Sequence, residues 1–349
     1  MSFAGIVLLV SMMSALSILL LTPVAERFGL VDAPNSHRKF HDGHIPLVGG
    51  VSIYVGLVFG ISLFVTPNDS SVTYLLCSSL IVALGVADDA GDLSPKFRLL
   101  AQSVIAVLMC AGSGMYIHQL GNIFGFGVVD LGVAGYVLTV LAVIGAINAF
   151  NMIDGIDGLL GVSSLVTFLS IGLLFYLNSD IDNMKLALIM SVALVPYLMA
   201  NLGLPPVKFR KVFMGDTGSM LIGFTVVWLL IQGTQPDSKG SVSFSPSTAL
   251  WLIAFPLMDM ARVIINRVLD KCSPFAADRT HLHHILQAVG DSKQVVLLKI
   301  CTLSAFLAIV GLGMELWHWS EVIIFLTFMV GFFIYAAKVR RLLLQSVKS

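Results

Sequence analysis

Apolar blocks about as long as a bilayer is thick recur along the whole chain, and they leave few folds open to it. A helix of about 20 residues crosses the hydrocarbon core of a membrane. Inside that core every backbone N–H and C=O needs an internal partner, so a chain built of such blocks is a bundle of helices. Eleven blocks stand out, at 3–24, 47–66, 71–87, 96–116, 131–149, 159–178, 184–202, 217–233, 247–266, 295–316 and 319–338. They predict an all-α polytopic bundle of about eleven transmembrane helices, a single domain over residues 1–349. The first block follows no basic residue and ends in no small-x-small site, so it reads as a span rather than a cleaved leader. Composition agrees: only 11% of the residues are charged, against roughly 25% in soluble domains, which excludes an ordinary water-soluble fold.

Charge placement says more than charge amount. Lys and Arg together balance Asp and Glu at 20 each, so no excess of positive charge points to a nucleic acid. Eighteen of the 20 basic residues fall on one side of the threaded bundle, leaving only Lys185 and Lys239 on the other. By the positive-inside rule the N-terminus is periplasmic and the C-terminus cytoplasmic, which requires an odd number of spans. Cys77, Cys110 and Cys301 sit in apolar blocks and Cys272 in a polar loop; no CxxC pair suggests a thiolate metal site.

The basic side also carries four polar clusters. The first, Val86 to Lys96, contains Asp88, Asp89 and Asp92 and ends in Ser94-Pro95, an N-cap followed by proline at the first helical position. Adjacent carboxylates repel unless a cation neutralises them, which suits Mg²⁺ and phosphoryl chemistry. The second runs from Asn148 to Leu159 and places Asn148, Asn151, Asp154 and Asp157 three residues apart with glycines between, a spacing that keeps helical neighbours within reach of one ligand. It is no EF-hand, because Leu165 stands where the bidentate Glu would be.

The third cluster, Lys211 to Ser219, opens a span with Gly215-Asp216-Thr217-Gly218-Ser219. A helix start of this kind offers free N–H groups to an anion, or Asp216 ligates a metal sitting on that anion. Phe213 is a candidate stacking surface for a base, although a lone aromatic commonly just packs. The fourth is Asp278-Arg279-Thr280-His281-Leu282-His283-His284. With Asp278 as a helix cap, His281 and His284 share a face and His283 points elsewhere. There is no Glu at HExxH spacing and no nearby cysteine, so a cationic grip on phosphate by Arg279 and the histidines is favoured over zinc. Asp259, inside the ninth block, precedes Arg262 by three residues and reads as half of a structural ion pair.

In this order, between these blocks, the four clusters resemble the polyprenyl-phosphate N-acetylhexosamine-1-phosphate transferases. The resemblance extends over about residues 25 to 290 and is carried by Gly29-Leu-Val-Asp-Ala-Pro, Ile45-Pro-Leu-Val-Gly-Gly, Ala146 to Gly161, Lys211 to Phe224, Pro256-Leu-Met-Asp-Met and Ser273-Pro-Phe. It implies UDP-GlcNAc as donor, undecaprenyl phosphate as acceptor, UMP as product and Mg²⁺ as cofactor, with Mn²⁺ as a possible substitute. It also implies a multi-pass enzyme of the bacterial cytoplasmic (inner) membrane, with its site on the cytoplasmic face. The product would begin a cell-surface polysaccharide such as an O-antigen, and a homodimer is left open. Residues matching Asn151 and Asp216 contact the metal in that family; those matching Asp88, Asp89, Asp154 and Asp157 serve the reaction. Asn148, Phe213, Gly215, Arg279, His281, His283 and His284 are expected to bind substrate. One departure is Ala90, where the family often has Arg next to the Asp pair, so a phosphate or carboxylate contact there is missing.

Two chemical routes stay open at this point. A lipid-phosphate oxygen attacks the donor's β-phosphorus directly, or an aspartate, Asp88 or Asp89, attacks first and forms a covalent intermediate. Other UDP-N-acetylhexosamines and UDP-MurNAc-pentapeptide are alternative donors within the family. An ion-coupled transporter fits worse, since its carboxylates belong near the bilayer midplane between repeated halves, and no repeat is visible.

Overall fold

The computed structural model describes residues 3–32, 44–205, 209–237, 240–273 and 280–346. Thirteen helices and one short strand pair form among them. In chain order they are α1 (Phe3–Phe28), β1 (Val31–Asp32), β2 (Ile45–Pro46), α2 (Gly49–Phe64), α3 (Asp69–Gly91), α4 (Pro95–Ser113), α5 (Ala134–Met152), α6 (Leu159–Leu177), α7 (Ile181–Leu202), α8 (Gly215–Thr234), α9 (Pro246–Leu252), α10 (Ala254–Leu269), α11 (Leu282–Ala288), α12 (Lys293–Leu316) and α13 (Glu321–Ser346). Every one of the eleven apolar blocks contains a helix. Among the described residues nine helices are long and apolar enough to cross a membrane, and α9 with α10 make a tenth candidate that bends by 85°. The remaining block is α2, a 16-residue apolar helix.

The bend has a local cause. Pro256 lacks an N–H and cannot donate to the Leu252 carbonyl one turn before it. That carbonyl instead accepts the Thr167 hydroxyl of α6 at 3.0 Å, so the broken helix leaves no orphan at the break.

Helix α8 is the axis of the molecule. From Thr217 to Ile231 every side chain is buried, and the helix packs against α2, α3 and α5. Its first turn is wedged tightly: a Cβ on Gly85 of α3 would stand 2.3 Å from the Thr217 Cα, so only glycine permits this approach. Main-chain bonds fix the segment before α8 as well. Pro46 accepts from Phe213 at 2.9 Å, and Gly49 and Gly50 donate to Phe213 and Met214 at 3.0 Å. The start of α8 is therefore set by α2, α3 and β2 together. At the other end of the bundle, Gln235 Oε1 accepts the His118 and Gln119 N–H groups, Glu321 accepts Asn122, and Glu315 accepts Ser245.

Candidate functional site

Acidic groups from three separate stretches of chain meet at the first turn of α8. Asp89, near the end of α3, accepts the Asp216 N–H at 2.7 Å through Oδ1, and the Thr217 N–H and hydroxyl at 3.1 and 2.7 Å through Oδ2. Gly215, with φ of +70°, turns the chain into the helix, and a Cβ there would lie 2.5 Å from Asp89 Oδ2. The sequence reading offered these N–H groups to a substrate anion. In the structure the anion is Asp89 itself, because a fixed carboxylate on α3 reaches the helix start first.

Asp216 is gripped from the other side by Asn151, whose amide donates to Oδ1 and also to Ser219 Oγ at 2.8 Å. Asp88 is 4% exposed. It lies close enough to Asp216 to repel it, and it is held by the Leu93 N–H at 2.9 Å and by Arg98 Nη1 at 2.7 Å. Helix α3 runs on through Gly91, with Asp92 left-handed at its end, so both aspartates sit on its last turn. Ser94 caps α4 by accepting from Phe97, as expected, and α4 carries Arg98 back over Asp88. Arg98 thereby supplies a cation beside the Asp pair where the sequence has Ala90.

The turn between α5 and α6 brings in Asp154 and Asp157. It is pinned by Asn201 of α7, which accepts the Gly158 N–H at 2.7 Å and donates to the Val212 carbonyl at 3.0 Å. Asp157 pairs with Lys211 at 2.6 Å, and the same ammonium lies 5.3 Å from the centre of the half-buried Phe213 ring. Asp154 is pushed up to about 7 by surrounding protein and then by the carboxylates of Asp216, Asp89 and Asp157. The residue keeps an open face, so solvent offsets part of the first cause; repulsion by the neighbouring carboxylates is the firmer one. Asn148 faces a different way, its amide donating to Gln102 of α4 and to the Ile144 carbonyl.

The histidine segment, which follows α10 in the chain, also reaches this turn. Helix α11 begins only at Leu282, with His281 at its N-cap in extended backbone. Asp278 and Arg279 lie outside the described residues, so the cap and the phosphate grip expected of them do too. His283 is 2% exposed, and its ring fills the space a Cβ on Gly155 would need, 2.0 Å from Nε2. Neither ring nitrogen has a hydrogen-bond partner among the described residues. Burial, followed by the neighbouring His284 and His281, pushes His283 down to about 3, so it stays neutral. His281 turns toward α10: its Nδ1 lies 2.8 Å from Asp259 Oδ2. The expected Asp259–Arg262 pair is present at 3.0 Å, and His281 and Tyr335 join it.

Asp88, Asp89, Asn151, Asp154, Asp157 and Asp216 are thus brought together, and His283 joins them through Gly155. Thr217 and Ser219 of the third cluster complete the frame, together with Arg98, Asn201 and Tyr335, which do not stand out in the sequence. Among the described residues no group of three or more His, Cys, Asp or Glu side chains forms a metal cage. Five crowded carboxylates against Arg98 and Lys211 leave the cleft short of positive charge, and such a donor set suits Mg²⁺, which commonly takes one or two carboxylates and completes its shell with phosphate and water.

Comparison with known proteins gives the family. The model of glycosyl transferase family 4 matches residues 71–234, the stretch from α3 through α8. Proteins named undecaprenyl-phosphate alpha-N-acetylglucosaminyl 1-phosphate transferase are similar over nearly the whole chain. The one from Salmonella typhi is 42% identical over 327 residues, covering 93% of this chain and 87% of its own. Those from Escherichia coli K12 and Haemophilus influenzae are 40% and 42% identical, covering 91% and 92% of this chain and 86% and 89% of theirs. With that likeness running through every element that builds the acidic cleft, the chain belongs to the undecaprenyl-phosphate N-acetylglucosaminyl 1-phosphate transferases of glycosyl transferase family 4.

Proposed function

We infer that the protein transfers N-acetylglucosamine 1-phosphate from UDP-GlcNAc to undecaprenyl phosphate, giving undecaprenyl-diphosphate-GlcNAc and UMP. The observation that carries this reading is the convergence of the Asp88–Asp89, Asn151–Asp157 and Asp216 groups at one end of an apolar bundle, in a chain matched by transferases of that name over more than nine-tenths of its length. A lipid-phosphate oxygen attacks the β-phosphorus of the donor. The new P–O bond forms as the bond to the bridging oxygen breaks, and UMP leaves with that electron pair. Little covalent work falls to the protein in such a transfer; it positions the reactants and balances charge.

Several residues fit that limited task. Asp89 fixes the start of α8 and so the place of Asp216. Asp88, tied to Arg98 and the Leu93 N–H, is poorly placed to take a proton. The acceptor has little need of a base, since a phosphate monoester with a second pKa near 6 is about nine-tenths dianionic at pH 7. Direct displacement is therefore favoured over a covalent aspartyl intermediate. Asp154 and Asp157 line the rim, Arg279 would hold donor phosphates, and His281 would hold the donor's sugar. Mg²⁺ is the proposed cofactor, Mn²⁺ substituting, with Asp216 and Asn151 as its holders; when bound it would neutralise diphosphate charge.

The basic-residue asymmetry supports placing this end of the bundle at the cytoplasmic face of a bacterial inner membrane. The proposed product would begin a surface polysaccharide such as an O-antigen. The test is purified protein with undecaprenyl phosphate and a panel of UDP-sugars, scoring lipid product and UMP. Equal yields of both with UDP-GlcNAc support the reading. Preference for UDP-MurNAc-pentapeptide or another hexosamine would replace the donor, and sugar or ion flux without UMP would remove the reaction.

A further inference from the structure

Asp259 of α10 is wholly buried, and its carboxylate collects donors from three parts of the chain. Oδ1 accepts from Arg262 Nη2 at 3.0 Å, from the Tyr335 hydroxyl of α13 at 2.8 Å and from the Leu282 N–H at 3.3 Å. Oδ2 faces the Nδ1 of His281 at 2.8 Å. A carboxylate buried merely to pair with Arg262 would not need to hold one oxygen toward an imidazole. An ionised carboxylate only accepts, so His281 must carry its proton on Nδ1. Its Nε2 then carries a lone pair, free to accept.

The surroundings place the ring near the acidic turn. His281 sits at the N-cap of α11 in extended backbone, and its ring is tied to Asp259 through Nδ1. The His281 ring lies parallel to His283 at 5.9 Å between centres, and His283 in turn packs on Gly155, next to Asp154. Charged and titratable groups facing the pair are Arg262 from α10, Tyr335 from α13, and His283 and His284 from α11.

We propose that Asp259 is a positioning residue for the transfer: braced by Arg262 and Tyr335, it fixes the tautomer and orientation of His281 so that Nε2 is held as a bare acceptor for a hydroxyl or amide N–H of the donor's sugar. This rests on the reading above that His281 serves the donor, and it adds a buried bracket supplied partly by the last helix.

Asp259→Asn tests it in the full-length protein. Three partners of the carboxylate are donors to Oδ1, so the Asn oxygen must stay with them and its NH₂ must replace Oδ2. An NH₂ there forces His281 into the opposite tautomer. Turnover with UDP-GlcNAc should fall about ten- to a hundred-fold, as when a partner orienting a functional histidine is lost. In a His281→Ala background the same change should cost less than about two-fold, since coupled residues are not additive. Tyr335→Phe, which removes only one hydroxyl, should show a smaller loss that also vanishes in that background.

Losses that multiply across these pairs would overturn the proposal, because Asp259 would then be acting on folding or on something other than His281. Full activity of His281→Ala would instead discard the donor role of His281, a different failure. Histidine ¹⁵N NMR on the same proteins reads the tautomer even where turnover is too low to measure. An unprotonated Nε2 at His281, becoming protonated in Asp259→Asn, is the result expected; an unchanged signal contradicts the proposal.

Discussion

Asp89 Oδ1 stands 2.7 Å from the main-chain nitrogen of Asp216, so the aspartate that ends one helix caps the helix that starts with the other. A cap needs an acceptor oxygen and not a nucleophile. Asp89→Asn, which keeps one oxygen, should retain several-fold more turnover than Asp89→Ala. The Ala variant should also lose about 0.5–2 kcal/mol of stability, the usual worth of an N-cap. Kinetics and thermal unfolding of both variants check this. Equal and complete loss in Asn and Ala, with normal unfolding, would favour a covalent role for the carboxylate.

Asp88 and Arg98 make the second test. The Asp88 side chain is 2% exposed and Arg98 is 27% exposed, so removing the cation strands a buried negative charge beside Asp216. Arg98→Ala should destabilise the protein by roughly 1–3 kcal/mol, less than for a fully buried pair because Arg98 is partly wet. Adding Asp88→Asn should recover much of that loss, read as the midpoint of thermal unfolding. A base role for Asp88 predicts the reverse order in activity, with Arg98→Ala the milder change.

Metal and protons should compete for the cleft. Asp154, pushed up to about 7, keeps its proton in the folded protein well above the pH at which an unfolded Asp loses it. The folded state therefore binds more protons between about pH 4 and about pH 7, and stability without metal should fall as pH rises through that window. A bound cation displaces those protons, so Mg²⁺ should raise the unfolding temperature more at about pH 8 than at about pH 5.5. Thermal unfolding with Mg²⁺ and with chelator at both values is the measurement. An equal effect at both would mean that the cation binds elsewhere.

The contact of His283 with Gly155 gives a prediction about packing. A Cβ at residue 155 would overlap the His283 ring, so Gly155→Ala should cost about 1–3 kcal/mol and lower turnover by displacing Asp154. Gly155→Ala combined with His283→Ala should unfold at a higher temperature than Gly155→Ala alone. If the single variant behaves as wild type, the histidine segment does not press on this turn.

Much of this was legible because two signals are strong in a linear sequence: unbroken apolar length, and acidic or amide residues at short fixed spacing next to it. Ser94-Pro95 gave the start of α4, and the Asn151 and Asp216 segments gave groups that do meet. What sequence hid were relationships across the fold. Arg98 looks like an ordinary basic residue until α4 carries it back over Asp88. Asn201 lies 43 positions from Gly158 and has no motif around it. Tyr335 sits in an apolar run where a hydroxyl draws no attention. In the sequence the Gly215 helix start looks open to an anion, because nothing local says that Asp89 of α3 already fills it. The Asp259–Arg262 spacing was visible, whereas its tie to His281, 22 residues away, was not.

The central claim is that one cleft, at the start of α8, holds the donor's diphosphate. A cryo-EM map of the protein with Mg²⁺ and UDP-GlcNAc tests it most directly. The account predicts diphosphate density between Asp216, Asn151 and the 154–158 turn, with a cation within about 2.1 Å of an Asp216 oxygen. Diphosphate bound at the opposite end of the bundle, or with no density near Asp216, would contradict it.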